Sequence, residues 1–193
     1  MPWPMNGPVV ILAGGTGGAK LAAGFQDVAG PDLTVIANTG DDIVIHGGHV
    51  SPDPDLCVFW LAGRIDERGW GLDGDNFDAM AELRAAGEDV WFDLGDEDLA
   101  LCRDRADRLA AGERLTRCLL DQCRAYGTAA TVLPMSDDPV RTVIVSEGHR
   151  IVFWNDPERE FVNALPFIML DGVHVLRLDQ VGAAMAAAKK IDV

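Results

Sequence analysis

The chain has 193 residues, 48% of them hydrophobic and 24% charged, which is enough to bury one substantial core and argues against disorder along most of its length. Its 16 basic and 31 acidic residues give a formal charge of −15, which repels nucleic acid and anionic membrane surfaces. No apolar run approaches the roughly 20 residues that a membrane-spanning helix needs. These properties predict a cytoplasmic protein with neither nucleic acid nor a membrane as a partner.

The first elements in chain order indicate a parallel sheet. Residues 9–13 form a short apolar run that is typical of a buried strand, and the glycine-rich residues 14–20 follow it. Residues 21–25 have helical spacing, and residues 33–37 form a second apolar strand. Because strand, helix and strand in this order predict a crossover connection, we expect an α/β, Rossmann-like three-layer sandwich with a mainly parallel sheet.

The remaining residues add helices, one more strand and a hairpin. The apolar spacing predicts helices over residues 55–63, 79–83, 98–111 and 115–126, and a strand over residues 128–134. A β-hairpin is expected near residues 140–154, with its turn at residues 147–149. We therefore predict a nucleotide-phosphate-binding α/β domain over residues 1–154 and a divergent C-terminal segment, residues 155–193, packed on the same domain.

The glycine-rich segment is the strongest local signal for a ligand. Successive glycines between a strand and a helix let backbone N–H groups approach a phosphate, and the helix dipole favours its negative charge. The spacing fits neither a P-loop nor the dinucleotide-binding fingerprint. A tight turn that lets the helix pack closely is the alternative reading. The candidate phosphate-binding residues are Gly14, Gly15, Thr16, Gly17, Gly18 and Lys20.

Acidic residues follow the second strand, at the edge where open α/β sheets bind their ligands. In the run Asn38-Thr39-Gly40-Asp41-Asp42, carboxylates beside a phosphate site make sense if a hard cation such as Mg²⁺ lies between them. A helix cap or a turn is the alternative for the Asp-Asp pair. His49 and Asp55 lie in the next loop, where Asp55 is equally a candidate helix N-cap. Asp137 follows a later strand, and a turn before Pro139 explains it equally well.

Several motifs together resemble the 2-phospho-L-lactate transferase family of coenzyme F420 biosynthesis. The resemblance covers about residues 8–145 and depends on the order and spacing of the motifs, not on one pattern. A Ser-Asn-Pro motif from the later part of that family has no counterpart here. The matching motifs are residues 12–21, Asn38-Thr39-Gly40-Asp41-Asp42, Ser51-Pro52-Asp53-Pro54-Asp55, Arg64-Ile65-Asp66 with Gly69-Trp70-Gly71, residues 94–100 and residues 133–142.

The resemblance implies transfer of a 2-phospholactate or phosphoenolpyruvate group from a GDP-linked donor to the hydroxyl of the deazaflavin Fo, with release of GMP. It implies that Asp41 and Asp55 bind Mg²⁺ and that one of them orients or deprotonates the acceptor hydroxyl. A homodimer, or a chain that lacks the family's C-terminal half, is expected. The nucleotide would lie against the glycine-rich residues together with Asn38, Thr39, Gly40, His49 and Asp137.

Two alternatives stay open at this point. The first is a truncated, non-catalytic remnant of the same family. The second is a nucleotide-sugar-binding regulator that resembles the gluconeogenesis-factor family, which shares the glycine-rich loop and the Asn-Thr-Gly-Asp-Asp motif. Glycines and serines usually follow that motif in the regulator family, whereas Ile43-Val44-Ile45-His46 follows it here. This difference favours the transferase.

Overall fold

The computed structural model describes residues 7–140 and two further strands, residues 143–146 and 149–152, at the level of the backbone. The chain divides into two compact units after Val140, and each is described by itself. The predicted domain boundary at residue 154 and the predicted C-terminal segment, residues 155–193, lie outside the described residues and stay predictions.

The first unit alternates strands and helices. The helix α5 has the predicted bounds, whereas α1 begins six residues and α2 three residues before the predicted helices. The elements are β1 (Val9–Ala13), α1 (Gly15–Ala29), β2 (Leu33–Ala37), β3 (Ile43–Ile45), β4 (Gly48–Val50), α2 (Pro52–Leu61), α3 (Asp78–Ala85), α4 (Asp96–Ala110), α5 (Leu115–Tyr126) and β5 (Thr131–Pro134).

A parallel sheet with the strand order β1-β2-β5 forms the centre of this unit. The register pairs Ala13 with Ala37, and Ala37 with Pro134, so the three strands end at the same level. The residues that follow the strands, Gly14 and Asn38 among them, therefore lie along one edge, which we call the carboxyl edge of the sheet. The predicted Rossmann-like α/β fold with a mainly parallel sheet is confirmed.

The main core lies on one face of the sheet. Ile11, Val35 and Val132 point into it from the three strands and meet buried residues of α1, α2 and α5. Both crossovers step in the same direction along β1-β2-β5, which places their helices on the same face. On the opposite face of β1, Val10 is 58% and Leu12 78% exposed. Within the part of the chain that the structure describes, that face of β1 is open to solvent.

A second, smaller core lies beneath a hairpin formed by β3 and β4. These residues were predicted as a loop. The turn residues His46 and Gly47 have φ values of 51° and 78°. A two-residue hairpin turn of type I′ needs positive φ at both positions, and glycine satisfies this without strain. The core beneath it consists of Val50, Met80, Leu94, Leu99 and Cys102.

The glycine-rich segment is mostly helix and not loop, because α1 begins at Gly15. Gly18 lets α1 approach β1, since a Cβ at this position would lie 2.8 Å from Ala13 Cα. Gly17 has no neighbour of this kind within 4 Å, and Gly15 has a φ of 70°. Close packing therefore accounts for Gly18 and backbone conformation for Gly15, while the surroundings of Gly17 are open.

The second unit contains the predicted hairpin. The strands β6 (Val143–Ser146) and β7 (His149–Val152) pair antiparallel, with Ser146 opposite His149. The predicted hairpin is therefore confirmed. In the described part of the chain, none of the helices is long and apolar enough to cross a bilayer.

Candidate functional site

Asp53, in the first turn of α2, connects the ends of the first two strands of the sheet. Its Oδ1 accepts a hydrogen bond of 2.8 Å from the Gly15 N–H, and its Oδ2 accepts one of 2.8 Å from Asn38 Nδ2. The Asp53 side chain is buried. A carboxylate therefore lies at the carboxyl edge, against the N-terminus of α1, where the helix dipole stabilises its negative charge.

Asn38 brings a second carboxylate to the same place. Its Nδ2 lies 3.4 Å from Asp41 Oδ2, and its Oδ1 accepts a hydrogen bond of 3.0 Å from the Gly40 N–H. The Asn38 N–H itself continues the sheet by donating to the Ala13 carbonyl at 2.9 Å. Asp41 and Asp53 therefore share one amide donor, and the predicted residues Gly15, Asn38 and Asp41 come together.

Asp42 points in a different direction from Asp41. Its Oδ2 accepts a hydrogen bond of 2.9 Å from Ser51 Oγ and lies 2.9 Å from His49 Nε2. Among the described residues, no hydrogen-bond partner meets the buried Asp42 Oδ1 or the buried Thr39 Oγ1. A buried carboxylate oxygen without a donor is costly unless a cation or another ligand meets it.

The buried charges of the described residues do not balance. Four buried side chains in the described residues are acidic, and Arg105 is the only buried basic one among them. Burial, and then the charge of Asp55, raise the pKa of the Asp98 carboxyl to about 7, so Asp98 is neutral for part of the physiological range. The excess of oxygen donors with negative charge fits a hard divalent cation such as Mg²⁺. The acidic residues are Asp42, Asp53, Asp55 and Asp98.

Asp55 has an ion-pair partner in the interior. Arg105 donates to both of its carboxylate oxygens, and Gln122 Nε2 donates to Oδ1 at 2.9 Å. Ligand atoms of Asp55, Asp98 and Cys102 also lie within 4.8 Å of one another, but a thiol is a poor ligand for Mg²⁺. The contacts of Asp55 therefore suit a buried ion pair better than the predicted role as a catalytic magnesium ligand.

The geometry of a helix explains why Asp53 and Asp55 differ. Two residues apart on an α-helix correspond to a rotation of about 200°, so the two side chains point to nearly opposite sides. Asp53 faces the carboxyl edge and Asp55 faces the interior. Asp55 was predicted as the magnesium ligand, because the run Ser-Pro-Asp-Pro-Asp does not reveal which aspartate faces the sheet.

The other predicted phosphate-binding residues lie along the first turns of α1. Gly14, Thr16 and Gly17 are exposed at the helix N-terminus. Lys20 is also exposed, and its Nζ lies 5.3 Å from the centroid of the Trp60 ring, so its ammonium group contacts α2. Part of the predicted phosphate-binding segment therefore faces solvent at the N-terminal end of α1.

Asp137 caps α5. Its Oδ1 accepts a hydrogen bond of 2.7 Å from the Thr116 N–H, and Arg114 lies 3.7 Å from Oδ2. Partial burial opposes ionisation, but the Thr116 hydrogen bonds and the Arg114 charge hold the pKa of Asp137 below its usual value. These contacts give Asp137 a structural role at the N-terminus of α5. Its predicted role in nucleotide binding stays a prediction.

Comparison with known proteins gives a consistent result. The family model for 2-phospho-L-lactate transferase CofD matches residues 9–157. A 2-phospho-L-lactate transferase from Methanococcoides burtonii is 35% identical over 147 residues, which are 75% of this chain and 48% of the relative. A phosphoenolpyruvate transferase from Streptomyces griseus is 42% identical over 142 residues, 72% of this chain and 45% of the relative. The chain spans about half the length of the curated relatives that it matches.

Proposed function

Because the chain belongs to the 2-phospho-L-lactate transferase CofD family, we propose that it takes part in transferring a phosphorylated three-carbon acid from a GDP-linked donor to the hydroxyl of Fo, with release of GMP. This reaction would belong to coenzyme F420 biosynthesis. The relatives are named as 2-phospho-L-lactate and phosphoenolpyruvate transferases, and we propose a group of this type as the one transferred. The observation that carries the proposal is the junction of Gly15, Asn38, Asp41 and Asp53 at the carboxyl edge.

The exposed N-terminus of α1 is proposed as the site of the donor's phosphates. Helix N–H groups and the helix dipole attract phosphate oxygens, and the open space around Gly17 allows a ligand to approach the backbone closely. Thr16 adds an exposed hydroxyl beside it. Asn38, Thr39 and Gly40 are proposed to line the nucleotide side of the same edge.

Asp41 and Asp53 are proposed as the ligands of Mg²⁺, so Asp53 replaces Asp55 in this role. Both carboxylates contact the amide of Asn38, and the unpartnered Asp42 Oδ1 in the neighbouring turn adds negative charge. When bound, Mg²⁺ would neutralise charge on the diphosphate and on the leaving GMP. The fully buried ion pair of Asp55 can then keep its structural function.

The chain's own groups would act mainly by positioning. The acceptor hydroxyl attacks the phosphorus that carries the acid, and the bond from that phosphorus to the GMP oxygen breaks. Asp41, which is partly exposed, is proposed to orient this hydroxyl or to take its proton. Placing the reactants in line and neutralising their charge supply most of the rate enhancement in such transfers.

The test is calorimetric titration of the chain with GDP and then with Fo, with and without Mg²⁺. We expect GDP binding that depends on Mg²⁺, and at least tenfold weaker binding, about 1.4 kcal/mol, in Asp41→Asn. Asp107→Asn is the control, since it removes one negative charge from the exposed surface of α4. Binding of neither GDP nor Fo by the parent chain would favour the non-catalytic remnant.

The oligomeric state is part of the proposal. We propose a homodimer, which sedimentation equilibrium of the purified chain would test. A monomer at all concentrations would refute the homodimer without affecting the proposed phosphate site.

A further inference from the structure

Arg105, in the middle of α4, is buried to 1% exposure and connects three other elements of the fold. Its Nη1 donates to Asp55 Oδ2 at 2.9 Å and to the His49 carbonyl at 3.0 Å. Its Nη2 donates to Asp55 Oδ1 and, at 3.1 Å, to Gln122 Oε1. One guanidinium therefore holds β4, α2 and α5 together.

Two of the residues that Arg105 contacts, His49 and Asp55, are the ends of a short segment, residues 49–55. Within it, Asp53 accepts the Gly15 N–H at the carboxyl edge. Ser51 donates its hydroxyl to Asp42, and its carbonyl accepts the Asp55 N–H at 3.0 Å. The segment is thus fixed at His49 and at Asp55, and its middle supplies the Asp53 side chain to the proposed phosphate and metal site.

Stability alone does not require this arrangement. A buried ion pair loses the hydration of both charges, and an apolar set of similar volume often stabilises a protein equally well or better. A lysine would supply one point charge, whereas the planar guanidinium supplies donors to a carboxylate, a carbonyl and an amide at once. The contacts of Arg105 are therefore better explained by a need to hold His49, Asp55 and Gln122 in a fixed geometry.

We propose that Arg105 is a positioning residue for the carboxyl edge, which it controls by fixing residues 49–55 so that Asp53 meets Gly15 and Asn38. The effect on Mg²⁺ and GDP rests on the proposed function, whereas the effect on the Gly15 contact does not. Arg105, at 1% exposure, would touch no reacting atom. It acts through the Asp55 carboxylate and the His49 carbonyl on the position of Asp53.

The experiment is amide hydrogen exchange of the chain without ligand, resolved by residue, in the parent and in Arg105→Lys. We expect the Gly15 N–H, which Asp53 accepts, to exchange at least tenfold faster in Arg105→Lys. The amide of Val35, in the central strand, reports global unfolding, and we expect it to change less than Gly15. Equal acceleration at Gly15 and Val35, or none at Gly15, would overturn the proposal.

Arg108→Lys is the matched control. Arg108 lies one turn further along α4 and also makes charged hydrogen bonds, to Glu113 at 2.8 Å and to Asp121 at 2.7 Å. None of these contacts reaches residues 49–55, so we expect Gly15 exchange in Arg108→Lys to match the parent. Acceleration at Gly15 in both variants would assign the effect to loosening of α4 and would refute a specific role for Arg105.

A second variant separates position from stability. The triple substitution Arg105→Met, Asp55→Leu and Gln122→Leu removes the polar network and fills its place with apolar groups. We expect it to recover the stability to urea that Arg105→Lys loses while Gly15 still exchanges fast. Parent-like exchange at Gly15 in this variant would show that packing alone positions Asp53.

Titration with GDP and Mg²⁺ then tests the consequence for binding. We expect the Mg²⁺ concentration for half-maximal GDP binding to rise at least tenfold in Arg105→Lys and to stay within twofold in Arg108→Lys. If the parent chain binds no GDP, the proposed function fails, while the exchange result still decides the positioning role. Fast exchange at Gly15 with unchanged Mg²⁺ dependence would refute the link between the two.

Discussion

At the scale of single residues, Gly17 and Gly18 are neighbours in α1 whose surroundings differ. A Cβ on Gly18 would lie 2.8 Å from Ala13, and nothing lies within 4 Å of the same position on Gly17. We expect Gly18→Ala to destabilise the chain by about 1–3 kcal/mol through overpacking. Gly17→Ala should stabilise it by about 0.5–1 kcal/mol, because alanine loses less backbone entropy in a helix.

Urea denaturation of both variants measures this difference. If Gly18→Ala were as stable as the parent, the close approach of α1 to β1 would not need a glycine. A second readout is GDP binding, which Gly17→Ala should weaken if the phosphates approach the backbone at this position.

The raised pKa of Asp98 predicts that the stability of the fold depends on pH. Burial and the charge of Asp55 raise the pKa of its carboxyl from 3.8 to about 7. Between these values the Asp98 carboxyl loses its proton in the unfolded chain and keeps it in the folded chain. The stabilisation that comes from this protonated carboxyl is therefore fully present below pH 3.8 and is lost as the pH rises to about 7. Above that range both states are ionised and the dependence ends.

The test compares the parent with Asp98→Asn, which cannot ionise but keeps an oxygen to accept the Cys102 thiol hydrogen bond. We expect the free energy of unfolding of the parent, relative to Asp98→Asn, to fall as the pH rises from 3.8 to about 7, and then to level off. A difference that does not change with pH would show that Asp98 ionises normally in the folded chain.

At the scale of elements, β1 shows how one strand can have two unlike faces. Ile11 is 7% exposed and its neighbour Leu12 is 78% exposed, since successive strand residues point to opposite faces. We expect Ile11→Ala to cost about 2–5 kcal/mol in unfolding free energy. Leu12→Ala should change it by about 0.5 kcal/mol or less.

The two substitutions remove side chains of equal carbon number from adjacent residues, so each is the control for the other in a thermal or urea melt. A cost for Leu12→Ala close to that for Ile11→Ala would mean that the open face of β1 is covered in solution.

Sequence patterns predicted the elements with uneven success, for reasons that particular residues make clear. Apolar runs located β1 and β2, and α5 matched its predicted bounds because its amphipathic pattern is regular. The hairpin of β3 and β4 was missed, since its strands have three residues each and its turn begins with His46. Such short strands carry too few residues for a period of two to be visible.

At the scale of the whole molecule, a formal charge of −15 means that any added salt should stabilise the fold by screening repulsion. A specific Mg²⁺ site should add to this general effect. At equal ionic strength, we expect MgCl₂ to raise the melting temperature by about 3–6 °C more than NaCl when Mg²⁺ is tenfold above its dissociation constant.

Asp53→Asn tests whether the added stabilisation comes from the carboxyl edge. The variant keeps an oxygen that can accept the Gly15 N–H, but it loses the charge that we propose for binding Mg²⁺. The extra shift should disappear in Asp53→Asn and persist in Asp107→Asn, which removes an exposed charge on α4. An equal response of the parent to both salts would argue against the site.

The sequence by itself determined the strand-helix-strand order, the placement of Gly14 and Asn38–Asp42 after strand ends, and the family, because these features depend on local apolar runs and on the spacing of motifs. Only the tertiary structure decided which aspartate of residues 51–55 reaches the carboxyl edge and that Arg105, some 50 residues away in sequence, holds that segment. The physical reason is that a side chain's direction depends on how its helix packs, and the partners of Asp53 and Asp55 lie on other elements.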